Sequence, residues 1–87
     1  MKEFDLVITD ENGIHARPAG LVVKAVKAYK SKATIHFGEK SSDMRKLLAM
    51  MGMGIKKGDT VKIEVEGEDE DQAAEAIKNA FVENGLA

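Results

Sequence analysis

Phe4, Leu6 and Ile8 alternate with Glu3, Asp5, Val7 and Thr9, and this period of two predicts a first strand. Asp10-Glu11-Asn12-Gly13 follows as a turn signal. From Pro18 the period lengthens: Leu21, Val22, Ala25, Val26 and Tyr29 fall on one face of a helix, with Lys24 and Lys27 off it. Lys30-Ser31-Lys32 ends that helix. Ala33, Ile35 and Phe37 then alternate as a second strand, Gly38-Glu39 makes a tight connection, and Lys40 to Ser42 forms a short third strand. Ser42 or Asp43 is placed to cap a second helix whose apolar stripe is Leu47, Leu48 and Met51, with Gly52, Gly54 and Gly58 marking its end and the loop beyond. Val61, Ile63 and Val65 alternate with Lys62, Glu64 and Glu66 as a fourth strand. A last helix follows the acidic run Glu68 to Asp71, with Ala73, Ala74, Ile77, Ala80 and Phe81 as its apolar face.

The order is βαββαβα. Strands that alternate, rather than reading as apolar runs, suit an antiparallel sheet with one wet face, and the helices must then cover the other. We expect an α+β open-faced sandwich of four strands and three helices, in one domain spanning residues 1–87, since this length supports a single core.

Composition narrows the chemistry. With no Cys, disulfide scaffolds, zinc knuckles and thiol catalysis drop out. No metal and no cofactor is expected. No apolar run approaches a membrane span, and the opening Met-Lys-Glu-Phe-Asp lacks the apolar stretch of a signal peptide, so the expected location is the cytoplasm. The net charge of −2 hides an asymmetry: residues 1–60 carry 11 basic and 7 acidic groups, residues 61–87 carry 2 and 8. An excess of +4 in the first part is either a docking face for acidic partners or the counterpart of a solvated acidic tail segment.

Gly13-Ile14-His15-Ala16-Arg17-Pro18-Ala19 carries the most chemical information. Pro18 suits the first turn of a helix, where a missing N–H costs nothing. Helix starts usually recruit Ser, Thr, Asp or Asn to their free N–H groups, and His15, Ala16 and Arg17 offer no such oxygen. The donors are left for water, a distant group or an anion, beside an imidazole and a guanidinium. A neutral imidazole is a good phosphoryl acceptor. The helix N-terminus and Arg17 are expected to keep a ring nitrogen free, and then to meet the charge of the adduct. Phosphoryl transfer needs mainly positioning and charge stabilisation, which a small protein can share with a partner. The other histidine, His36, alternates with Ile35 and Phe37 and is expected on the wet face beside Lys62 or Glu64, as an ordinary exposed residue.

This segment resembles the active-site signature of the HPr family, the histidine phosphocarriers of the bacterial phosphotransferase system. The likeness runs over the whole chain, including Gly67-Glu68-Asp69-Glu70 before the last helix. The resemblance implies the open-faced sandwich reached above. It implies that His15 takes a phosphoryl group on Nδ1 from phosphorylated enzyme I, itself charged by phosphoenolpyruvate, and passes it to a histidine of a sugar-specific IIA component. The chain would be a stoichiometric carrier and not an enzyme. Arg17 matches the arginine that stabilises the adduct, and Ala16 and Arg17 would contribute backbone N–H groups. Leu47, Leu48 and Met51 match the apolar patch the family presents to partners. Lys24, Lys27, Arg45 and Lys46 would ring that patch with positive charge. Met44, Met50 and Met53 are either part of it or buried.

One position departs from the pattern. Many relatives carry a regulatory serine at the start of the second helix, where this chain has Lys46. A lysine cannot be that phosphosite, so no serine switch is expected, and a regulatory paralog that acts by docking stays open beside the carrier. An RNA-binding module is the reading from another class. It would need exposed aromatics or a basic loop on the sheet, and the fourth strand shows Lys62, Glu64 and Glu66 instead, so no nucleic-acid partner is expected. A monomer is expected, with the second-helix patch as a route to self-association.

Overall fold

The computed structural model describes residues 1–87. Its four strands, β1 (Lys2–Val7), β2 (Lys32–Phe37), β3 (Lys40–Asp43) and β4 (Thr60–Glu66), form one sheet in the order β1-β4-β2-β3. Every pairing is antiparallel. The register sets Phe4 opposite Ile63, Leu6 opposite Val61, Ile35 opposite Ile63 and Ala33 opposite Val65. A period of two then sends this whole apolar set to one face. The residues between them line the other face, where Lys62 bridges to Glu3 at 3.2 Å.

Helices α1 (Ala16–Lys27) and α3 (Glu70–Glu83) pack against each other, and α3 rests on β1 and β4. Helix α2 (Leu47–Met51) is a short turn and a half lodged between α1 and β3. One cluster of buried side chains joins the layers, with Ile8, Val22, Val26, Ile35, Ile63, Ile77 and Phe81 at its centre. The expected α3 face is buried in full. On α1 the buried face is Pro18, Ala19, Val22, Val23 and Val26, so it is turned from the expected stripe. Leu21 is exposed and Tyr29 lies just past the helix end. Two neighbours, α3 and α2, pull the helix to a compromise that a single-sided stripe does not describe.

Three boundaries differ from expectation. Helix α1 begins at Ala16, which makes Pro18 its third residue and not its start. Strand β3 runs on to Asp43, and neither Ser42 nor Asp43 caps α2. The carboxylate of Asp43 accepts the Arg45 N–H at 2.9 Å, and its carbonyl accepts the Lys46 N–H at 3.0 Å. That turn delays the helix, and Lys46 becomes the cap residue with no side-chain bond. His36 is also not freely exposed. Its ring is half-buried, its Nε2 is closed to solvent and lies 3.2 Å from Glu64 Oε1, without the geometry of a hydrogen bond.

A polar knot ties α1 to α3. Asp69 accepts the N–H groups of Lys30 and Ser31 at 2.9 Å each, together with the hydroxyl of Ser31, a buried residue. The Ser31 hydroxyl first, then the Lys30 N–H, hold the Asp69 carboxyl below its ordinary range. A carboxyl depressed on folding lends stability that is complete above its unfolded value, about 3.9, and is lost as pH falls through the folded one. Asp69→Asn, whose amide cannot serve all three donors, is expected to have the lower Tm at pH 7. Its Tm should converge with that of the wild type as pH falls past about 3.9 and on through the lowered folded-state value. Thermal melts from pH 7 to pH 2.5 test this, and a gap that stays constant into acid contradicts it.

Candidate functional site

Eight residues separate β1 from α1, and the turn Asp10 to Gly13 among them fixes where His15 stands. Asn12 donates its N–H to Asp10 Oδ1 at 2.8 Å, and Gly13 donates to the Asp10 carbonyl at 2.9 Å. Gly13 is buried, with φ +64°, a conformation glycine takes without a Cβ penalty. It lies against the backbone of Ile55 and Lys56, in the loop after α2. Ile14 and Ile55 are both buried in the core beside it. The loop is therefore anchored from below, and His15 is presented at its exit.

His15 is the cap residue of α1, extended at φ −126° and ψ 170°, and its side chain makes no capping bond. Its carbonyl accepts the Ala19 N–H at 3.0 Å, which opens the helical ladder. The N–H groups of Ala16 and Arg17 have no partner, and Pro18 has no N–H to offer. A capping oxygen stabilises a helix by about 1 kcal/mol. This helix forgoes it and leaves two aligned donors open at its positive end. Both Ala16 and Arg17 are exposed, and the Arg17 guanidinium makes no ion pair or hydrogen bond within the protein. The parts singled out in the sequence are thus gathered within one turn.

The ring of His15 is half-exposed, and one contact was not foreseen. Its Nε2 lies 3.2 Å from Asp10 Oδ2. The Asn12 N–H first, and then this imidazole, hold the Asp10 carboxyl below its usual range. In the sequence, positive charge alone is expected around His15, and Asp10 is only part of a turn signal. The signal was an Asx turn whose second carboxylate oxygen must point somewhere. Nothing in the spacing said that it would point back at the ring. The His15 Nδ1 has no partner in the protein.

Around α2 the side chains divide cleanly. Met44, Met50 and Met53 are buried, which settles their open assignment in favour of the core. Leu48 is 81% exposed, and Leu47 and Met51 are half-buried beside it. Of the basic residues, Lys27 and Lys46 are exposed and unpaired. Lys24 lines the groove between α1 and α3 with Leu21, Ala28 and Glu83. Arg45 is held back, with its Nη2 donating to the Tyr29 carbonyl at 3.2 Å. The ring of charge around the patch is looser than expected for that reason. No helix is long and apolar enough to cross a membrane.

Residues 2–83 match the family model for the PTS-HPr component phosphorylation site. The phosphocarrier protein HPr of Lysinibacillus sphaericus is 39% identical over the whole of this chain and 99% of its own length. Among solved structures, a histidine-containing phosphocarrier protein of Mycoplasma superposes with a TM-score of 0.94 at 36% identity, covering 98% of this chain and 97% of that one. An HPr dimer from Thermoanaerobacter tengcongensis superposes with a TM-score of 0.72 at 31% identity, covering 95% and 94%.

Proposed function

Since the chain belongs to the HPr family of phosphocarriers of the phosphotransferase system, we propose that it carries phosphoryl groups on His15, taking them from phosphorylated enzyme I and passing them to sugar-specific IIA components. Members of this family are carriers rather than catalysts, and the proposal makes this chain a stoichiometric one. The observation that carries it is the uncapped start of α1: His15 is the cap residue itself, and the Ala16 and Arg17 N–H groups beside it are unspent. A phosphoryl group on the ring would accept from those N–H groups and from Arg17, where a low-dielectric cavity is not needed because transfer occurs between two docked proteins.

Leu47, Leu48 and Met51 form the docking patch in this reading, with Lys24, Lys27 and Lys46 steering acidic partners toward it. An isolated exposed leucine is ordinary, but Leu48 shares its short helix with the half-buried apolar Leu47 and Met51. With Lys46 at the helix cap, the proposed carrier has no serine switch at that position. A dimer stands among the similar structures, and the Leu48 patch is the proposed route by which this chain would self-associate.

Incubation with enzyme I and labelled phosphoenolpyruvate tests the reading. The protein should take up about one label per chain, labile in acid and stable in alkali, as an imidazole phosphoramidate is. Absence of label beside a working enzyme I overturns the carrier and favours the docking paralog.

A further inference from the structure

One ionised side chain meets the His15 ring, and it comes from the loop ahead of the helix. Asp10 Oδ2 is 3.2 Å from Nε2, while Asp10 Oδ1 holds the Asn12 N–H at 2.8 Å and the Asp10 carbonyl holds the Gly13 N–H at 2.9 Å. The carboxylate is thus clamped by its own turn, and its second oxygen cannot swing away from the ring without breaking the bond to Asn12. An ionised carboxylate only accepts, so the proton between Asp10 and His15 belongs to Nε2. In the neutral ring the lone pair is then on Nδ1, the nitrogen without a partner.

We propose that Asp10 is a positioning residue for His15: by accepting from Nε2–H it fixes the tautomer and the plane of the imidazole, and so makes Nδ1 the nitrogen that takes the phosphoryl group. The proposal rests on the carrier reading and specifies how its acceptor atom is chosen. In the step itself the Nδ1 lone pair forms the new N–P bond. The bond between phosphorus and its carrier atom on phosphorylated enzyme I breaks, and its electron pair stays with that atom. No proton has to move at His15. Nε2 keeps its hydrogen, and the positive charge that spreads over the ring on phosphorylation faces the Asp10 carboxylate. Onward transfer reverses these changes and returns a neutral ring with the same tautomer.

Asp10→Asn separates this role from a merely structural one. The amide oxygen must stay on the Asn12 N–H, because the alternative sets two donors against each other. The amide nitrogen then takes the place of Oδ2 and donates to Nε2, which obliges a neutral ring to carry its proton on Nδ1. A carboxylate-to-amide change beside a catalytic histidine blocks catalysis by this route in serine proteases. The readouts are the ¹⁵N shifts of the neutral His15 ring and the rate of phosphoryl uptake from phosphorylated enzyme I. The wild type should show a protonated Nε2 and a lone pair on Nδ1. In Asp10→Asn the tautomer ratio should move toward Nδ1–H by at least about tenfold, and uptake should slow about ten- to a hundredfold, less than in a buried triad because this ring is half-exposed. Asp10→Ala, which removes the bias without imposing the wrong tautomer, should fall between the two, and it serves if the Asn variant folds poorly. Ring shifts unchanged in Asp10→Asn overturn the proposal, whether uptake slows or stays at the wild-type rate. A wild type that takes no label overturns the carrier reading instead, and the ring shifts still decide the tautomer.

Discussion

A His15→Ala chain is expected to fold like the wild type and to take up no label from phosphorylated enzyme I. Both halves of this result follow from the same geometry. The side chain of His15 is half-exposed and does not cap α1, so its removal leaves every backbone bond of the helix start in place. Loss of a partly exposed contact to Asp10 moves the Tm by less than about 4 °C in a chain of this size. The proposed nucleophile, by contrast, has no substitute. The other histidine is 21 positions further along the sequence, on the opposite face of the sheet, with its Nε2 closed to solvent against Glu64. His36→Ala should therefore label as the wild type does. Uptake measured by acid-labile label, beside a thermal melt of each variant, tests the pair. Full labelling of His15→Ala would sink the site assignment, and labelling lost on His36→Ala would move it to the sheet.

Three of the strands were legible because β1, β2 and β4 announce their inner faces by alternation, while the polar β3 was legible only from the tight Gly38-Glu39 connection before it. Val61, Ile63 and Val65 had only one way to sit once Lys62, Glu64 and Glu66 took the water. The apolar face of α3 was legible for the same reason. Two things were not. The buried face of α1 depends on how α3 lies beside it, which no local period records, so Leu21 went outside and Val23 inside. The start of α2 depends on a turn in which Asp43 spends its carboxylate on Arg45. A good capping residue there was used for something else.

The site divides along the same line. His15, Arg17 and the missing cap are neighbours in sequence, and a local reading brings neighbours together. The Asp10 contact spans a turn whose conformation is set by Gly13 and by the loop after α2, far along the chain. The His36 ring needed the register of β2 on β4 to show that Glu64 lies over its Nε2. In both cases a polar group's final partner was a tertiary fact. The same distinction separates the methionines: composition grouped four of them around α2, and only packing shows three in the core and Met51 at the surface.

Gly13→Ala is expected to be the most costly change in the loop, and it joins stability to the site. A Cβ at this position would collide with the carbonyl of Ile55 and come within 3.0 Å of the Lys56 Cα, both of them backbone. The φ of +64° adds the strain of a left-handed alanine. Strain and overpacking together cost about 3 kcal/mol, or on the order of 15 °C in Tm for a domain this small. Backbone cannot give way as a side chain does, so either the Asp10–Gly13 turn lifts or the loop after α2 retreats. A lifted turn breaks the Gly13 bond to the Asp10 carbonyl and frees the carboxylate that faces His15. A retreating loop moves Ile55 from the core and shifts the chain that leaves the Leu48 patch. Phosphoryl uptake should therefore fall even at temperatures where the variant is fully folded. Melts, together with uptake rates measured well below the Tm, test this. An alanine variant with wild-type Tm and wild-type uptake would show that the two loops do not pack so closely, and that the proposed phosphoryl site and the proposed docking patch are mechanically independent.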